Sequence, residues 1–395
     1  MGLARSREVA QRLDVLRLAP KQIIVAGTNG KGSTALFAQA LLIAQGKRVG
    51  TTLSPHLARF NERVLLQGAQ ATDQSLCEAF AAVEAVREDV PLTYYEYAVL
   101  AAAWLFRRAQ LDVCVLEVGL GGRLDAINLF DADVAVITNI GLDHQSYLGD
   151  TLDAIGAEKV AVCRQRQPVV LGHPQMPASV YEALADSGSA IQQYGRDYWR
   201  GTGVGLTVHF ADSAPLHSSQ EPQIAPHNAA TATAAVAALG RRPTQAELHQ
   251  AATKAINPGR AELRSYRGVP VVLDVAHNPA GAAFLATQLQ ERFPERRFVA
   301  CAGFLADKDV AGICRALQAP VARWVITATA GGRGLSAQAA AQATGLEQPI
   351  IEANFGSAVE RAHALGAGAD MMLLIVGSFY QVQAMREFLR KADNI

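Results

Sequence analysis

Gln22-Ile23-Ile24-Val25-Ala26-Gly27-Thr28-Asn29-Gly30-Lys31-Gly32-Ser33 is the stretch from which the rest of the chain can be read. The apolar residues 22–25 predict a strand, the glycines a turn, and residues 34–44 a helix. Strand, glycine turn and helix N-terminus in that order make a phosphate cradle. Glycine lets the backbone close around a phosphate, while amide N–H groups and the helix dipole favour negative charge. Lys31 adds a mobile cation, and Ser33 or Thr34 offers a hydroxyl to Mg2+. Gly32 separates Lys31 from Ser33, which departs from the usual P-loop spacing. An ordinary glycine-rich strand-to-helix turn is the simpler alternative.

Working outward, the chain has 395 residues, enough for two or three domains and a large core. Apolar residues make up 50% and charged residues 18%, an ordinary globular composition. Lys+Arg and Asp+Glu both total 36, so net charge points to neither nucleic acid nor membrane. The five cysteines are scattered, with no disulfide framework or zinc spacing, and Cys114 and Cys301 sit in apolar runs as core residues. Residues 1–18 are charged and amphipathic, unlike a signal peptide, and no apolar run is long enough to span a bilayer. A reducing cytoplasm is the expected location.

Short apolar strands (22–26, 48–53, 112–118, 134–140 and 168–172) alternate with amphipathic helices (34–45, 73–88, 95–109 and 151–163), which predicts a parallel sheet covered by helices. Residues 195–225 lose the pattern and read as a loop or small hairpin region, and the Ala-rich 227–239 as helix. Asn257-Pro258-Gly259-Arg260 marks a boundary, giving domains 1–257 and 258–395. The second repeats the alternation, with strands at 269–276, 298–304, 322–328, 349–352 and 371–377.

Polar clusters fall where strands end, the place for ligands in open α/β sheets. Glu117, in Leu116-Glu117-Val118-Gly119-Leu120-Gly121-Gly122-Arg123-Leu124-Asp125, suits a hard cation beside phosphates, or a structural pairing with arginine. His144, in Leu142-Asp143-His144, is a metal ligand, a base or a structural histidine. Ser54, in Thr52-Leu53-Ser54-Pro55-His56, is a second hydroxyl for the metal or a helix cap, with Pro55 enforcing a turn. Glu158-Lys159, by pattern alone, is a solvated helix face. In Asp274-Val275-Ala276-His277-Asn278-Pro279, Asp274 is placed to accept from a ribose and His277 to meet a phosphate. A polar turn closed by Asx hydrogen bonds is the bland alternative.

In chain order these segments read GTNGKGS, SPHL, TYYEY, EVGLGGRLDA, LDH, EK, HNAA, NPGR and DVAHNP. The set and order resemble the folylpolyglutamate synthase/dihydrofolate synthase family of the Mur-ligase superfamily, across almost the whole chain to Gly377-Ser378-Phe379. The resemblance implies a P-loop-containing Mur-ligase-like α/β domain followed by a smaller Rossmann-like C-terminal α/β domain that carries glutamate-ligase function. It implies ATP-dependent addition of L-glutamate to tetrahydrofolate, and to dihydropteroate, through an acyl phosphate. By resemblance, Thr28, Asn29, Gly30, Lys31, Gly32 and Ser33 hold the triphosphate. Ser54, Glu117 and His144 bind metal, with two Mg2+ ions implied. Lys159 matches the family's carbamylated lysine, whose anionic form organises the metal site and reverses the pattern-only reading. Asn228, Arg260 and Asp274 match nucleotide contacts, and His277 the histidine near the reacting phosphate. Thr93, Tyr94 and Tyr95 with Leu124, Asp125 and Ala126 match the pterin pocket. ATP would lie between the domains, whose closure assembles the site, and the resemblance implies a monomer.

Three features depart from the family. Its chains usually begin with an earlier helix and a loop that touches dihydropteroate, and Met1 falls where that loop should end. Glu158-Lys159-Val160-Ala161-Val162 stands where Glu-Lys-Ala-Gly-Ile is usual, and Ile127 replaces a threonine. Two other functions are compatible with the motifs. One is a Mur-type ligase acting on a UDP-linked precursor, although the short segment ahead of the phosphate loop lacks room for the usual UDP-binding domain. The other is a shortened paralogue that binds nucleotide or folate without ligating, against which the retained Lys31, Glu117, His144, Lys159, Arg260, Asp274 and His277 argue.

Overall fold

The strand ahead of the glycine turn, β1 (Lys21–Ala26), runs through an eight-stranded sheet in the computed structural model, which describes residues 3–367 and 371–392. The chain divides into two units, Met1–Ile256 and Asn257–Ile395. The first opens with α1 (Leu3–Arg12), so Met1 and the expectation attached to it lie outside the described residues.

After β1 come α2 (Lys31–Ala44), β2 (Val49–Thr52), β3 (Val64–Leu66), β4 (Ala69–Gln70), α3 (Asp73–Arg87) and α4 (Tyr94–Arg108). Then follow β5 (Val113–Glu117), β6 (Val134–Ile137), α5 (Gln145–Leu148), α6 (Leu152–Val160), β7 (Val169–Leu171), α7 (Ala178–Ala185) and β8 (Ile191–Gln193). The strand order is β4-β3-β2-β5-β1-β6-β7-β8. Alternate residues of the central strands feed two different cores. Ile24, Ala26, Cys114, Leu116, Ala135 and Ile137 face one; Ile23, Val25, Val113, Val115, Val134 and Val136 face the other. A strand apolar on both faces needs cover on both, which explains why these runs read as continuous apolar stretches. The sheet is not wholly parallel as expected: β3 pairs antiparallel with β2 and with β4. The tight return at Gln67 and Gly68, both at positive φ, permits that edge hairpin.

Of the two readings given for residues 195–225, the hairpin is the one the chain adopts. These residues hold a three-stranded antiparallel sheet of β9 (Tyr198–Arg200), β10 (Leu206–Phe210) and β11 (Ser213–Ser218). Leu206, Val208 and Phe210 are buried at alternate positions, a signal diluted in the sequence by Gly201, Gly203 and Gly205. α8 (Pro226–Ala238) and α9 (Gln245–Lys254) complete the unit, and alanine along α8 lets it pack closely on α2.

The second unit holds β12 (Glu262–Tyr266), β13 (Val269–Leu273), α10 (Pro279–Arg292), β14 (Arg297–Ala302), α11 (Val310–Leu317) and β15 (Val321–Thr327). α12 (Ala337–Thr344), β16 (Ile350–Glu352), α13 (Phe355–Gly366), β17 (Met371–Val376) and α14 (Phe379–Ala392) follow. Its six-stranded sheet runs β12-β13-β17-β14-β15-β16, with β12 antiparallel to its neighbour. Among the described residues no helix is long and apolar enough to cross a membrane.

Candidate active site

The phosphate loop is held from the strand beside it. β6 pairs with β1, so residues 138–141 leave the sheet next to residues 27–30. Thr138 Oγ1 donates to Asn29 O (2.7 Å), Asn139 Nδ2 donates to the same carbonyl (3.0 Å), and Asn139 Oδ1 accepts from Asn29 N (3.0 Å). Thr28 Oγ1 accepts from Gly141 N (2.9 Å) and donates to Gly141 O (3.1 Å). Gly27 has φ +141°, and a side chain there would overlap the Thr138 hydroxyl. Gly30 caps α2 at φ +81° without any side-chain cap. The first turn of α2 thus starts directly at the glycine turn, and a helix N-terminus there favours an anion. A Cβ on Gly30 would lie 2.6 Å from Asn228 Oδ1, so the glycine admits the N-terminus of α8 to the loop. Lys31 Nζ folds back to Gly27 O (3.1 Å) and Thr28 O (3.2 Å), while Gly32 and Ser33 occupy the first turn of α2.

Two of the three expected metal ligands meet at the ends of adjacent strands. β2 and β5 run parallel, and buried Glu117 accepts Ser54 N through Oε2 (2.7 Å). Glu117 is also opposite Val25 in the register, one strand from the phosphate loop. The Ser54–Pro55 bond is cis. His144 lies beyond β6 at φ +52°, with its side chain 46% exposed and its backbone N bonded to Asp143 Oδ1 (2.9 Å). Among the described residues no three His, Cys, Asp or Glu gather into an ion cage. Mg2+ bound mainly through nucleotide phosphates and water needs only one or two protein carboxylates, so a buried hard-oxygen donor beside a phosphate cradle fits it.

Lys159 is not on a solvated face: it is 5% exposed in the last turn of α6. The loop after β5 reaches it directly. A Cβ on Gly122 would lie 2.5 Å from Glu158 O and 3.0 Å from Lys159 Cα, and Arg123 N donates to Glu158 O (2.9 Å). Burial, then the Lys31 charge, push the Lys159 amine down to about 7, against the raising effects of Asp143, Asp125 and Glu158.

The segments matched to a pterin pocket adjoin one another. Thr93 caps α4 in a reciprocal box, accepting Glu96 N (3.3 Å) while Glu96 Oε2 accepts Thr93 N (2.7 Å). Tyr94 is 64% exposed. Tyr95 OH approaches Asp125 Oδ1 (3.4 Å), and a Cβ on Gly119 would lie 2.6 Å from the Tyr95 ring. Asp125 also accepts Leu120 N (2.8 Å) and Ile127 N (2.9 Å). Burial still pushes its carboxyl up to about 6. Burial, with Asp125 and Glu117, raises the Tyr95 phenol as well. Leu124 is exposed and Ala126 buried.

In the second unit, both Asp274 oxygens accept backbone amides: Ala261 N (2.7 Å) and Ala276 N (2.7 Å). The second bond is the Asx turn weighed above, and the first ties that turn to the NPGR segment. Burial raises the Asp274 carboxyl and Arg260 opposes it. Arg260 lies over the Phe379 ring (5.4 Å). His277 Nδ1 donates to Val275 O (2.9 Å), which fixes the orientation of the ring and places a proton on Nδ1.

Residues 25–197 match the Mur ligase middle domain, and residues 259–379 match the Mur ligase, glutamate ligase domain. Dihydrofolate synthase/folylpolyglutamate synthase of Escherichia coli is 38% identical, over 98% of this chain and 91% of that protein. The fold matches E. coli FolC in complex with DHPP and ADP at a TM-score of 0.92 and 38% identity, covering 100% of this chain and 94% of the other. It also matches a bifunctional folylpolyglutamate synthase/dihydrofolate synthase with Mn, AMPPNP and L-glutamate bound (TM-score 0.90, 37% identity, 99% and 94% covered). The chain belongs to the Mur ligase family. Within it the chain groups with the dihydrofolate synthase/folylpolyglutamate synthases, and is an ATP-dependent amide-forming ligase.

The two departures that fall on described residues of this Mur ligase have local explanations. Ile127 is fully buried in the core, so a hydroxyl is exchanged for packing while its N–H stays on Asp125. Ala161 ends α6 at φ −63°, where a side chain costs no strain. The sequence reading passed over what supports the site: the Thr138-Asn139 clasp and the Glu96 half of the capping box. Thr-x-x-Glu at 93–96 is a legible helix-start signal. The clasp had no such pattern, because it depends on strand order.

Proposed function

We propose that this ligase joins L-glutamate to folates bearing a glutamyl tail, and to dihydropteroate, by activating the acceptor carboxylate with ATP. A carboxylate oxygen attacks the γ-phosphorus and ADP leaves, giving an acyl phosphate. The glutamate amine then attacks the acyl carbon, inorganic phosphate leaves with the C–O bonding pair, and the nitrogen loses a proton as the amide forms. The observation that carries this reading is the clasped phosphate loop with Lys31, flanked by buried Glu117 on the next strand and buried Lys159 behind Gly122.

The loop amides and Lys31 bind the triphosphate and hold cationic charge where negative charge develops on the transferring group. Ser54, Glu117 and His144 are the residues that would hold Mg2+, which when bound neutralises phosphate charge. Lys159, with its depressed amine, is suited to react with CO2. The resulting carbamate supplies an anion where an ammonium would repel a metal ion. Asn228 borders the loop; Arg260, Asp274 and His277 are the second unit's candidates for the nucleotide and the reacting phosphate. Tyr95, Asp125 and their neighbours are the folate-pocket candidates. The related structures holding ADP with DHPP, and AMPPNP with Mn and L-glutamate, support this assignment.

The test is ATP- and Mg2+-dependent incorporation of labelled L-glutamate, with dihydropteroate and tetrahydrofolate assayed separately. Incorporation into both is expected. Nucleotide binding without incorporation into either overturns the reading in favour of a non-ligating paralogue.

A further inference from the structure

Arg63 lies beside the candidate metal turn in an unusual setting. Its carbonyl accepts Leu53 N (3.0 Å), the amide immediately before Ser54, because β2 and β3 pair antiparallel there. Its guanidinium carbon sits 5.8 Å from the centroid of the Phe60 ring and 5.7 Å from that of Tyr94, two rings 6.2 Å apart at 85°. Its Nε donates to His56 Nδ1 (2.8 Å). The other arginines around this region have carboxylates: Arg5 binds Glu96, Arg59 binds Asp73, and Arg123 binds Glu158. Arg63 has none among the described residues, although it is only partly exposed. An arginine braced by aromatic faces and a neutral acceptor keeps the two-pronged edge of its fork for an anion, and a carboxylate is the shape that fork matches.

We propose that Arg63 binds the α-carboxylate of the acceptor folate's glutamyl tail, and so sets the preference for glutamylated folate over dihydropteroate. The proposal rests on the ligase reading above and deepens it. Three anions could meet the fork: the reacting carboxylate, the incoming glutamate, and the acceptor's α-carboxylate. Tyr94 and Tyr95 belong to the candidate folate pocket, so Arg63 packed on Tyr94 borders the acceptor. A glutamyl tail has its α-carboxylate a few bonds from the reacting γ-carboxylate. Dihydropteroate has only the carboxylate that reacts.

The experiment compares wild type, Arg63→Gln and Arg63→Lys on three acceptors: tetrahydrofolate, its analogue with 4-aminobutyrate in place of glutamate, and dihydropteroate. The analogue keeps the reacting carboxylate and lacks the α-carboxylate. Arg63→Gln is expected to raise KM for tetrahydrofolate roughly 10- to 100-fold, the loss expected for a charge-assisted bidentate contact. Removing the guanidinium and removing the α-carboxylate should cost one loss, not two. Arg63→Lys should fall between, since it keeps charge without the fork, and it also controls for folding. Equal losses on all three acceptors would overturn the proposal in favour of a structural role or contact with the reacting carboxylate. A raised KM for L-glutamate at saturating acceptor would overturn it in favour of the incoming amino acid. A wild-type protein that ligates glutamate to none of the three overturns the ligase reading itself.

Discussion

Stripping CO2 from the buffer, or lowering the pH, should switch this ligase off through Lys159. Carbamate forms when the neutral amine attacks CO2, making an N–C bond and releasing a proton. The quantity that matters is therefore the unprotonated fraction. With the amine pushed from 10.5 down to about 7, roughly half of it is neutral at pH 7, against about one in a few thousand for an ordinary lysine. The fold thus raises the reactive fraction by roughly 10^3. Well below pH 7 that fraction should fall about tenfold per pH unit; above pH 7 it can rise no more than about twofold. The assay is glutamate ligation at saturating substrates after CO2 removal, restored with 13C-bicarbonate while the carbamate carbon is followed by NMR. Lys159→Ala should lose about 10^2-fold or more in kcat and recover partly with small carboxylates. Full activity in CO2-free buffer, or in Lys159→Ala without rescue, would refute the reasoning.

Other expectations follow from packing and hydrogen bonds. Gly119→Ala places a Cβ 2.6 Å from the Tyr95 ring, and should cost about 1–3 kcal/mol in urea unfolding and weaken folate binding; unchanged values would contradict the packing argument. Asn139→Ala removes two hydrogen bonds from the phosphate loop, and should weaken ATP binding about tenfold in calorimetry, whereas an unaltered Kd would discount the clasp. Lys31→Ala should lower kcat by about 10^2-fold or more while the melting temperature holds; near-wild-type turnover would remove Lys31 from the chemistry. Burial holds His227 down at about 4, with its ring bonded to Gly172 O. The unfolded chain therefore binds the extra proton between pH 4 and 6.5, so stability rises with pH across that window and is lost as pH falls through it. From pH 7 to pH 5 the loss is about 2 kcal/mol, and His227→Gln should flatten that part of the urea-midpoint profile; an unchanged profile would place the dependence elsewhere.

Much of the fold was legible because the central strands are apolar on both faces, and both readings of the glycine turn after β1 place a strand before it and a helix after it. The edge strands β4 and β12 were not legible, because they bury too little to leave a pattern, and β3, though buried, is too short at three residues to show one. Glu158-Lys159 misled for a different reason. A charged pair on a helix ordinarily faces water, and only the approach of Gly122 shows that Lys159 is covered. Asp274 reads as a ligand-facing acid from its strand-end position, and the sequence does not show that one oxygen also closes a local turn while the other holds the distant Ala261 amide. Position relative to a strand end is encoded locally, but which partner a side chain meets depends on strand order and loop return.

The most direct test of the central claim is stoichiometry. Labelled L-glutamate, ATP and Mg2+ are supplied with tetrahydrofolate or dihydropteroate, and amide product is counted against ADP released. One ADP per amide formed, with each acceptor, is the expected result. ADP release without amide, or nucleotide bound with neither product formed, would contradict the account.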